Sequence, residues 1–99
     1  MYEENGKVYA GNKKPVPTII WAEYRGNYVI RAAYATGEII DVDFSKNFSG
    51  PAMLPLKDEA ILKDFDYTLG FLQWKDGEID VSPEAMLEVG TMIEPAISA

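Results

Sequence analysis

The chain has 99 residues, 47% hydrophobic and 25% charged, with no Cys and no His. That length suits one domain with a single modest core, and the missing residue types exclude disulfides, thiolate nucleophiles, imidazole bases and the usual zinc and copper ligands. Sixteen Asp and Glu against nine Lys and Arg give a net charge of −7, which repels phosphate backbones unless the cations gather on one face and favours a basic protein partner instead.

No apolar run approaches the roughly 20 residues a spanning helix needs. The opening MYEENGK lacks the basic and then apolar pattern of a secretory leader, so the expected compartment is the cytoplasm. Residues 1–17 are polar and turn-rich, with Asn5, Gly11, Pro15 and Pro17, and read as an arm holding at most one short strand, KVYA. From Thr18 the composition turns β-branched and aromatic, and TIIWAEYR reads as a strand. Gly26 and Asn27 suit a two-residue hairpin loop of type II′, followed by a second strand, YVIRAAYA. Ala35, Thr36 and Gly37 turn the chain into a third, EIIDVDF. Strands joined by such short links pair as an antiparallel meander.

SKNFSGPAMLP, with Gly50, Pro51 and Pro55, is a crossover loop. LKDEAILKDF places Leu56, Ala60, Ile61 and Phe65 at helical spacing, which predicts a short amphipathic helix lying on the sheet. YTLGFLQW is a fourth strand, Lys75-Asp76-Gly77 a turn, and EIDV a fifth strand. Ser82-Pro83-Glu84 is a helix start, combining a capping oxygen, a ring fixed near helical φ and an acid in the first turn. Ala85, Met86, Leu87 and Val89 give that helix its apolar side up to Gly90. Residues 91–99, TMIEPAISA, read as a tail that frays or packs loosely, which leaves 18–90 as a single α+β domain: a meander of three strands, a helix, a β-hairpin and a short C-terminal helix.

Two stretches nearly repeat, GEIIDV from Gly37 and GEIDV from Gly77. Neither match extends past its hairpin, whereas a structural repeat carries its own packing unit, so both read as outgoing hairpin strands after a turn glycine. The run from Pro55 to Leu87 resembles the family of domains of unknown function numbered 2442, through Trp74, Gly77, Asp80, Pro83 and Glu84 after the leucine-lysine-aspartate element at Leu56 to Asp58. With the preceding hairpin, YVIRAAYATGEIIDVDF, the likeness spans residues 18 to 89 and implies the same α+β fold. Some members of that family are fused to a DNA-binding helix-turn-helix and some are encoded beside small partner proteins, as toxin and antitoxin pairs are. Too few residues follow Val89 for a helix-turn-helix, so the resemblance implies partner binding.

Asp41 and Asp43, two apart on a strand, share a face, where Glu38, Glu78 or Asp80 would complete an oxygen set for Mg²⁺ or Ca²⁺ if the strands were neighbours. Alternation with Ile40, Val42 and Phe44 gives the simpler reading of a wet strand face. Asp80, just before a helix start, is placed to accept backbone N–H groups near Ser82. Ser45, Ser49 and Ser82 have no His to activate them, and no glycine-rich phosphate motif occurs. The expectation is a protein-interaction module with no catalytic residue, metal or cofactor. It works by binding a protein partner or itself, with Trp21, Tyr34, Trp74 and Asp80 as the candidate contacts. Core or cross-strand packing accounts for most of the large rings on the strands, and Trp21 with Tyr34 would form the hot spot if exposed together. A carboxylate-based enzyme or metal module on Asp41, Asp43 and Asp80 is the first alternative, and a regulatory nucleic-acid-associated protein the second.

Overall fold

Period-two alternation drives the chain into three antiparallel strands, β1 (Ile19–Gly26), β2 (Val29–Tyr34) and β3 (Ile39–Asp43). The computed structural model describes residues 17–95; the arm of residues 1–16, with its KVYA segment, lies outside the described residues, as do 96–99. In β2 and β3 every second residue is buried, so Ile30, Ala32, Tyr34, Ile40 and Val42 face one core. β1 is less regular. Its register slips between Ile19 and Trp21, which makes Ile20 an extra residue of the strand and leaves it 58% exposed.

Gly26 pairs with Val29, so the first hairpin loop is Asn27 and Tyr28, one residue later than expected. Both have positive φ, 53° and 66°, which makes a type I′ turn, whose twist matches that of paired strands, and not type II′. A bulky residue seldom holds that conformation. Here the Tyr28 N–H donates to Tyr24 Oη at 3.0 Å and the Tyr28 hydroxyl donates to the Lys57 carbonyl at 2.7 Å. The Tyr24 hydroxyl in turn donates to Glu59, so the hairpin tip is tied to the segment that crosses the sheet.

That segment corrects the ten-residue helix expected from Leu56 to Phe65. A 3-10 helix covers Pro51–Lys57, and a single α-turn, α1 (Glu59–Leu62), follows. Asp58 separates them: its backbone is extended and its carboxylate caps the new turn by accepting from Ala60 N at 3.0 Å. Capping chemistry at Asp58 outweighs the apolar periodicity on either side of it.

The fourth strand is also shorter than expected. β4 (Leu72–Trp74) begins only after Gly70, whose φ of 91° breaks the extended run and whose carbonyl accepts from Ile19 N at 2.8 Å. β4 pairs with β5 (Ile79–Val81) in a separate two-stranded sheet, so both GE(I)IDV stretches are outgoing hairpin strands. α2 (Pro83–Val89) starts where predicted, with Ser82 Oγ accepting from Ala85 N at 3.1 Å.

The expected loose tail forms a strand. β6 (Thr91–Glu94) pairs antiparallel with β3 and completes the order β1-β2-β3-β6. Gly90 makes this possible by close approach: a Cβ there would lie 2.9 Å from Ile40 Cδ1 and 2.9 Å from the Met86 carbonyl. The chain therefore leaves α2 in contact with β3 and has only to turn to pair with it.

Two stability measurements follow from these contacts. Gly90→Ala should cost about 1–3 kcal/mol by overpacking, and less in an Ile40→Val background, where Cδ1 is absent; equal costs in urea titrations of both backgrounds would refute the contact. Tyr34→Phe should cost about 1–3 kcal/mol by orphaning the Pro83 carbonyl to which the Tyr34 hydroxyl donates at 2.8 Å.

Candidate functional site

The four residues singled out in the sequence do not form one surface. Trp74 is only 1% exposed; its Nε1–H donates to the Leu62 carbonyl at 2.7 Å and its ring meets Phe44 edge-on at 5.7 Å. Tyr34 is equally buried. Burial, with Glu38 and Glu84 adding negative potential, holds its phenol well above the ordinary value of 10.0. Both are core residues, and Trp21 with Tyr34 is not an exposed pair. Tyr34 sits opposite Ile19 on the core face, whereas Trp21 sits opposite Ala33 on the other face, 39% exposed. Asp80 is exposed between buried Ile79 and Val81. Among the described residues it accepts no hydrogen bond, and the junction it was expected to fasten is closed by Ser82.

Asp41 and Asp43 do share the outer face of the sheet, and each is engaged locally. Arg31, directly across from Asp41, donates to it from Nε at 2.8 Å and Nη2 at 3.0 Å, a bidentate pair. Asp43 accepts from Ser45 Oγ at 2.6 Å and Ser45 N at 2.9 Å, which lowers its pKa from the ordinary 3.8. Asp80 and Glu78 belong to the hairpin beyond the crossover, away from this pair in the topology. Among the described residues no three acidic side chains gather in a metal-holding geometry.

A second engaged carboxylate, Asp66, accepts from Thr68 N and Oγ1 and from Gln73 Nε2, and its pKa is likewise lowered. It borders a hollow of about 470 Å³ beside Asp64, Gln73, Lys75 and Asp76. The sequence signal for both bonded acids was available: Asp-Phe-Ser and Asp-Tyr-Thr place a hydroxyl two residues after an acid, the spacing of an Asx-type turn.

The surface that does assemble is the outer face of the four-stranded sheet together with its β6 edge. Cross-strand partners share a face, so Trp21, Ala33, Ile39 and Glu94 form one row, and Glu23, Arg31, Asp41 and Thr91 the next. Both helices contact the opposite side, through Tyr24–Glu59, Tyr34–Pro83 and the Gly90–Ile40 approach. Among the described strands β6 is outermost on its side of the sheet, with Met92 51% and Ile93 41% exposed. Sequence reasoning missed Ile39, Met92 and Ile93, because the first looks like another core residue of its strand and the others lay in the presumed tail.

Comparison with models of known protein families, with characterised proteins and with solved structures found no match.

The bonded carboxylates set the acid-side behaviour. A carboxyl whose pKa is lower in the folded than in the unfolded chain contributes stability above its ordinary pKa, and that contribution is lost as pH falls through the folded value. Ser45→Ala should therefore raise the Asp43 pKa toward 3.8 and flatten the loss of stability on acidification below about pH 4. An NMR titration of Asp43 unchanged by the substitution would refute the assignment.

Proposed function

We propose that this chain is a cytoplasmic protein-interaction module, antitoxin-like in working by capture of a partner, and that it binds through the outer face and β6 edge of its sheet. The supporting observation is the contrast between the two faces. One carries the core, while the other presents Trp21, Ala33 and Ile39 beside an outermost strand bearing Met92 and Ile93. A strand edge with exposed apolar residues offers backbone N–H and C=O groups for pairing as well as side chains for contact. No described helix is long and apolar enough to cross a membrane.

The charge favours a basic partner. Glu23, Asp41, Asp43 and Glu94 surround the apolar row; Arg25 pairs with Glu23 and Arg31 with Asp41, which leaves Asp43 and Glu94 as acids without a salt bridge among the described residues, within a chain of net charge −7. Complementary charge of this kind raises association rates and selects against acidic competitors.

Native mass spectrometry of the chain isolated from its own host should show a stoichiometric partner or a dimer. A buried interface Trp typically contributes about 2 kcal/mol or more, on the order of thirtyfold in Kd, so Trp21→Glu should weaken the complex by at least that factor while Asp80→Asn leaves it intact. A complex that survives both Trp21→Glu and Ile93→Lys would place the interface elsewhere.

A further inference from the structure

The strongest feature outside the sheet face is a cleft between the loop that follows β3 and the 3-10 helix Pro51–Lys57. Its narrow part, about 70 Å³, is lined by Phe44, Phe48, Met53 and Leu56, and a wider part of about 260 Å³ continues past Ser45 and Lys57 to Tyr28. The floor is held in place. Phe44 is 8% exposed, its ring centroid lies 5.3 Å from that of Phe48, and Trp74 packs edge-on behind it. Tyr28 fixes the far wall through its hydrogen bond to the Lys57 carbonyl.

The charge of this cleft is opposite to that of the chain. The chain carries sixteen acids in 99 residues, yet among the described residues no acid lines either part, whereas Lys46 and Lys57 line the cleft and both are exposed. Among the described residues neither lysine forms an ion pair. Of the nearest acids along the chain, Asp58 is occupied by the Ala60 N–H, while Asp43 is bonded by Ser45 and also feels the charge of Lys46, which helps lower its pKa. A narrow apolar hollow bordered by two exposed lysines, neither of them held in a salt bridge among the described residues, is complementary to one aliphatic side chain flanked by carboxylates.

We propose that this cleft binds a short acidic peptide segment, seating one side chain of valine or leucine size against Phe44 and Met53 while neighbouring carboxylates meet Lys46 and Lys57. Burial of the aliphatic group supplies most of the affinity, because exposed ion pairs contribute little. The lysines supply selectivity and salt dependence. The site uses neither β6 nor the outer sheet face, so it stands apart from the reading of that surface.

The test is amide NMR of the isotope-labelled full chain titrated with an acetylated, amidated peptide, Glu-Asp-Leu-Asp-Glu. Saturable shifts confined to residues 44–57 and Tyr28 are expected, weaker at higher salt. They should be lost when the leucine is alanine, and binding should weaken at least tenfold in Lys46→Glu/Lys57→Glu, whose unliganded spectrum reports that the fold is kept. Lys46→Gln/Lys57→Gln, which removes charge without reversing it, should fall between the two. The proposal is overturned by any of four results: no saturable shift, equal binding of a peptide with lysines in place of the acids, shifts centred on β6, or preferential binding of a short oligothymidylate. None of these outcomes depends on whether Trp21→Glu disrupts a complex.

Discussion

The hydrogen bond from the Trp74 indole to the Leu62 carbonyl is the contact on which the other half of this fold depends. The small hairpin β4–β5 shares no strand with the main sheet, and three-residue strands have little stability by themselves. Trp74 attaches that hairpin to α1 through Nε1 and to the end of the main sheet through Phe44. Burying an indole removes a large apolar area from water, and its N–H requires a partner once buried. The last carbonyls of a one-turn helix are available to supply one.

A second long-range bond, Tyr34 to the Pro83 carbonyl, fastens α2 to the sheet in the same manner. Each buried aromatic thus joins two elements that are distant in the chain, with a ring that fills volume and a polar atom that specifies orientation. The division of labour between sheet faces follows. With both helices and the hairpin drawn to one side, the outer face retains Trp21, Ala33 and Ile39, and the bidentate Arg31–Asp41 pair orders its centre. Phe44, pinned from behind by Trp74, becomes the floor of the lysine-rimmed cleft.

The candidate site was only partly legible in the sequence. Trp21, Tyr34 and Trp74 read alike in the sequence, as large rings on strands, and only the structure separates the half-exposed Trp21 from the buried Tyr34 and Trp74. An aromatic residue reads alike whether its hydroxyl or indole N–H meets solvent or a carbonyl many residues away. The partners here lie 49 residues from Tyr34 and 12 from Trp74. The cleft was invisible for a related reason: in the sequence Phe44, Met53 and Lys57 read as ordinary residues of a strand end, a crossover loop and a helix, and only the fold of the crossover brings them to one place.

What the sequence determined by itself was local. Alternation set β2 and β3 and their buried faces, Gly37 and Gly77 set the turns, and Ser82-Pro83-Glu84 set the start of α2, since each depends on residues within a few positions. Tertiary structure decided the rest. It set the Gly70 carbonyl against Ile19 N, which goes with the late start of β4, and recruited Thr91–Glu94 from an expected loose tail into the sheet. A four-residue segment of modest alternation has no strand stability alone, and it acquires that state only when Gly90, packed on Ile40, delivers it to the open edge of β3.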